Sequence, residues 1–216
     1  MRASHAHGRR TALLLVAAVA AVEIIGGLRA SSLALIADAM GLIAYAAEWA
    51  LALRSSPAAF SGQSGLARLD RAIALVLVVS ALCLFASIVI VCMAYSWLLD
   101  PPGIRAETML MTAIAGLIGS ISVMMFRLDG DCRDAHAESL SEVGPKVLLA
   151  PLQVVAAATV VMVTGWSAID RIVATAIALY VILRTSALAY HAIRYGLLRA
   201  SATGRENEWK GTNRHG

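Results

Sequence analysis

Seven ionisable side chains, Glu23, Asp38, Glu48, Glu138, Glu142, Lys146 and Asp170, fall in or near segments apolar enough to cross a lipid bilayer. Each costs about 2.5 to 3.5 kcal/mol in hydrocarbon, so each must face a partner, another helix or water. Asp38 and Glu48 lie in "LALIADAMGLIAYAAEWALAL", residues 33–53. At 100° per residue, Asp38, Gly41, Tyr45 and Glu48 share an arc of about 80°, one polar stripe on an apolar helix. Gly41 leaves room there for a neighbouring helix or a ligand. Glu48 has a plain structural alternative, reaching water at the helix end or pairing with an arginine. Asp38 has one too, as a cap or an interhelical hydrogen bond.

A second cluster lies in "HAESLSEVGPKVLLAP". Glu138 and Glu142 stand four residues apart and share a helix face. Two carboxylates that close share either a proton or a cation, the two states a proton-coupled carrier alternates between. Lys146 follows Glu142 at i+4, the favoured order for a salt bridge, and could instead neutralise it without any ion. Pro145 and Pro151 each remove a helical hydrogen bond and favour a bend. A membrane enzyme is not expected: His136 falls largely on the opposite face from Glu138, leaving no nucleophile and base held together.

The elements that must position these groups are legible from composition. The chain of 216 residues is 59% hydrophobic and 15% charged, with mean hydropathy +0.75. That is the profile of an all-α integral membrane protein. Apolar runs at 11–28, 33–53, 72–98, 108–127, 134–165 and 169–195 predict six transmembrane helices, too long for barrel strands. Residues 1–10 and 196–216 then form polar tails around a transmembrane domain at 11–195, and the basic N-terminus leads into a retained helix rather than a cleaved signal. Arginines concentrate on one side of the bundle, while the other offers Arg29, Arg105 and Arg171, which predicts both termini in the cytoplasm. The net charge of +4 sits in those connections, so no nucleic-acid partner is expected. Cys83 and Cys92, nine residues apart, belong to opposite helix faces and are expected as free thiols.

In order and spacing, "EIIGGLRASSLALIADA", "FSGQSGLARLDRAIAL", "PPGIRAETMLMTAIAGLIGSISV" and "TGWSAIDRIVATAIALYVILRTS" resemble the cation diffusion facilitators over most of residues 15–195. These are six-helix carriers that export zinc and related divalent cations in exchange for protons. The resemblance implies a first-helix glutamate at Glu23 and an aspartate in the turn between helices five and six at Asp170. The family's second helix reads ADAxHxxxD, and its metal-binding positions fall here on Gly41 and Tyr45. Its fifth helix supplies His and Asp four apart, corresponding here to Glu138 and Glu142.

The resemblance therefore implies a remodelled, oxygen-rich site of Asp38, Tyr45, Glu138 and Glu142, suited to harder cations such as manganese or magnesium. Acidic residues in "RLDGDCRDAHAE" resemble the family's His-rich loop only faintly and read as a solvated loop. The family's cytoplasmic βαββ domain is not expected here, so a homodimer would form through the membrane helices. The expected protein is a multi-pass carrier of a bacterial inner (plasma) membrane that exports a divalent cation by proton antiport. No tightly bound cofactor is expected, and lipid, protons and the cation itself are the partners. The alternative is a non-transporting structural or regulatory subunit on the same scaffold.

Overall fold

The computed structural model describes residues 2–54, 63–99, 102–131 and 137–212, with side chains at 11, 13–48, 71, 73–97, 102–125 and 148–194. Six α-helices follow one another: α1 (Arg2–Ala30), α2 (Leu33–Arg54), α3 (Gln63–Leu99), α4 (Ala106–Asp131), α5 (Ala137–Thr164) and α6 (Ala168–Thr212). No strand occurs among the described residues. The helices outrun several of the expected spans. α3 begins at Gln63 and α6 continues to Thr212, because hydropathy marks the lipid-crossing part of a helix and not its polar ends. Positions 132–136, the middle of the acidic loop, lie outside the described residues.

Leu13–Ala30, Ile73–Trp97, Ala106–Met125 and Ala168–Arg194 are long and apolar enough to cross a membrane, and Leu148–Thr164 is a shorter apolar stretch. Large apolar side chains point outward, among them Leu14, Leu82, Phe85, Met111, Val163 and Leu183. In water this would be an aggregation surface; against acyl chains it costs nothing. The chain is thus a multi-pass membrane bundle.

Helix α2 is its axis. Leu33, Ala34, Leu35, Ala37, Asp38 and Ala39 are at most 2% exposed, and α2 contacts every other helix. Lipid supplies no hydrophobic force between helices, so close approach of small residues must hold them. The α1–α4 contact shows how. Gly26 abuts Thr112, Gly116 abuts Glu23 and Gly119 abuts Val19, each pair so close that a methyl group on the glycine would overlap its neighbour. The "GLIGS" run of α4 is therefore an interhelical seam.

Two tight turns fix one end of the bundle. Ser31 adopts the left-handed conformation (φ 56°) and the Ser32 amide donates to the Gly27 carbonyl at 2.9 Å, the Schellman ending of α1. The Arg105 amide donates to the Ala30 carbonyl at 3.1 Å, tying the start of α4 to the same turn. Between α5 and α6, Gly165 (φ 70°) donates to the Val161 carbonyl at 2.9 Å.

Candidate functional site

Asp38, Gly41, Leu42 and Tyr45 of α2 face Ala150 of α5 and Ile177, Tyr180, Val181 and Arg184 of α6 across a cavity of about 30 Å³. That is room for a water or a dehydrated ion. Asp38, Gly41 and Tyr45 of the expected stripe thus turn inward onto this cavity, with Asp38 only 2% and Tyr45 6% exposed. At Gly41 an added Cβ would meet Val181 Cγ2 at 3.6 Å, an ordinary contact, so the glycine is not forced by packing.

Arg184 stands at the end of the cavity nearer the polar end of α6. Its Nε donates to Glu48 Oε1 at 2.7 Å and its Nη2 to Glu48 Oε2, a two-pronged ion pair. Its Nη1 lies 3.4 Å from the Tyr180 hydroxyl. The guanidinium carbon is 5.5 Å from the Tyr45 ring centre and 6.0 Å from that of Tyr180, within cation–π range. Of the two expectations for Glu48, pairing with an arginine is the one observed.

The cap expected as one role for Asp38 belongs to Asp170. Ser32 Oγ donates to Asp170 Oδ1 at 2.6 Å. The amides of Leu33 and Ala34 donate to its two oxygens at 2.9 and 3.3 Å. A carboxylate from the first turn of α6 therefore satisfies the orphan amides that open α2. This buried joint sets the depth of α2 beside α6, and with it the level of Asp38 and Tyr45.

Behind α2, Glu23 of α1 is 1% exposed, and both its carboxylate oxygens are buried without a hydrogen-bond partner among the described residues. Its carboxyl packs on Gly116. Ser120, one turn further along α4, also buries an unpartnered hydroxyl. The sequence marked Glu23 as an intramembrane acid without assigning it to the site.

Of the four expected site residues, Asp38 and Tyr45 come together. The side chains of Glu138 and Glu142 lie outside the described residues, while their helix is α5. Their positions precede Ala150 by twelve and eight residues, about 18 and 12 Å along the axis at 1.5 Å per residue. Tyr180 and Arg184 were not anticipated; the signal available was an arginine inside an apolar run. Among the described residues no three His, Cys, Asp or Glu converge on a metal-sized point.

No protein-family model matches the chain. Two curated proteins do. The chain is 30% identical over 204 residues to the metal cation efflux system protein CzcD of Cupriavidus metallidurans, an alignment covering 86% of this chain and 62% of that protein. The same identity and coverage hold for the cation efflux system protein CzcD of Alcaligenes sp.. The chain thus spans less than two thirds of the length of these relatives.

Proposed function

We propose that the chain, a divergent relative of the cation diffusion facilitators, is a carrier exporting a divalent metal cation in exchange for protons. The carrying observation is Asp38 on a water-sized cavity between α2, α5 and α6, with Glu23 buried behind it and without a hydrogen-bond partner among the described residues. Two carboxylates buried in an apolar bundle require a compensating positive charge, and either a proton or a metal cation supplies one.

In this reading the cation arrives from the cytoplasmic side, met first at the level of Glu138 and Glu142 on α5. It then passes the Glu48–Arg184 pair and reaches Asp38 and Tyr45. The Tyr45 hydroxyl and water complete an oxygen-rich shell, which favours manganese or magnesium over zinc. Protons returning to the carboxylates release it outward. The positive-inside pattern supports cytoplasmic termini in a bacterial inner membrane, with lipid as the permanent partner. A homodimer through the membrane helices is part of the same proposal.

The test is uptake of zinc, manganese, cobalt and magnesium into proteoliposomes carrying a pH-sensitive dye. Flux coupled to proton movement is expected in the parent protein and a fall of at least about tenfold in Asp38→Asn. Glu138→Gln and Glu142→Gln are expected to reduce it as well. Folded protein that moves none of these ions refutes the reading.

Arg184 favours a second reading, a non-transporting subunit. A guanidinium paired with Glu48 beside Tyr45 puts the protein's own cation at the mouth of the cavity. Arg184→Leu with Glu48→Leu replaces the pair by apolar bulk. If the parent is silent and this variant conducts, the arginine is a plug.

A further inference from the structure

Val91, Ala94 and Tyr95 of α3 and Arg171, Ile172 and Thr175 of α6 line a second cavity, of about 320 Å³. It is the right size for part of an amphiphile. Its depth in the membrane follows from two observations. Helix α3 ends at Leu99 and α6 begins at Ala168, so the cavity lies within about two turns of both ends. Tyr95 and Trp166, 71% and 56% exposed, present rings at this same end, where aromatic side chains mark the passage from acyl chains to headgroups.

Arg171 makes the cavity more than an apolar cleft. It is 4% exposed; Nη2 donates to Ser167 Oγ at 3.2 Å, and Nε is buried with no partner among the described residues. The neighbouring carboxylate does not occupy it, because Asp170 is spent on Ser32, Leu33 and Ala34. A guanidinium with donor capacity to spare fits a phosphate diester that carries no cationic headgroup to repel it. The remaining walls, Val91, Ala94 and Ile172, fit acyl chain. A soluble anion would have to shed its water against those walls, whereas a phospholipid brings its own apolar part.

We propose that this α3–α6 cavity binds an anionic phospholipid, its phosphate on Arg171 and an acyl chain along Val91 and Ile172. The probe is phosphatidylglycerol against phosphatidylcholine, added to the purified full chain in detergent, with retained lipid counted by native mass spectrometry. Phosphatidylglycerol is expected to be retained about tenfold more than phosphatidylcholine, and Arg171→Gln is expected to abolish the difference. Val91→Trp fills the cavity and keeps the charge; it too is expected to lose the preference, and it decides the matter should Arg171→Gln fail to fold. Equal retention of the two lipids, or a preference that survives Val91→Trp, overturns the proposal. Displacement of phosphatidylglycerol by millimolar inorganic phosphate overturns it in favour of a simple anion site.

Discussion

Truncating Asp170 to alanine removes the acceptor from two buried backbone amides, those of Leu33 and Ala34, and from the Ser32 hydroxyl. The hydroxyl can rotate and retains its place near the Leu35 amide, 3.4 Å away. The two amides have no such recourse, since no carbonyl of α2 lies four residues before them. Each stranded donor costs about 1 to 3 kcal/mol, so Asp170→Ala should destabilise the bundle by about 2 to 6 kcal/mol. Asp170→Asn keeps one accepting oxygen and replaces the other by a donor that faces an amide, so it should lose about half as much. Ser32→Ala should cost about 1 kcal/mol, the size of an ordinary N-cap. Reversible unfolding in bicelles, followed by steric trapping, measures all three. A loss below about 0.5 kcal/mol for Asp170→Ala, the size of a neutral surface change, would refute the assignment of Asp170 as the joint between α6 and α2.

Glu48 and Arg184 are partly exposed, 29% and 20% by side chain, so their coupling should lie between surface and buried pairs. A double-mutant cycle with Glu48→Gln and Arg184→Gln should return about 1 to 2 kcal/mol. Gly119→Ala drives a methyl into the stiff side chain of Val19 and should cost about 1 to 3 kcal/mol, seen as a lowered melting temperature. Gly41→Ala meets only an ordinary contact with Val181 and should shift stability by less than about 1 kcal/mol. Gly41→His with Tyr45→Asp puts two ligands back onto the cavity. Zinc or cobalt binding by calorimetry should then exceed that of the parent; no gain would count against ligand replacement as the reason for the chain's divergence.

Much of this architecture can be read from residue order because lipid imposes one rule on every helix. The six helices, the inward stripe from Asp38 to Tyr45 and the small-residue seam at Gly116 and Gly119 all follow from it. So do the opposite faces of Cys83, which is buried, and Cys92, which is exposed. What periodicity could not supply was the register of one helix against another. Asp38 and Asp170 are both lone acids near helix ends, and only the packing of α6 on α2 makes one a cap and the other a cavity wall. Ala150 meets the cavity while Glu142 lies two turns away along α5, a distance that spacing within a single helix cannot convey. Arg184 drew no expectation from the sequence, because nothing in its own segment signals Glu48 on α2.

The ending of α1 at Ser31, the Arg105 amide on Ala30 and the Asp170 joint gather four helices at one end of the bundle. A swing of α2 about that end would act as a hinged lever does. Asp38 is five residues beyond Leu33 and Arg54 is twenty-one. A 10° swing of α2 would then carry Asp38 by about 1.3 Å and Arg54 by about 5.5 Å, with arms of about 8 and 32 Å. Such leverage displaces the far end of α2 about four times as far as Asp38.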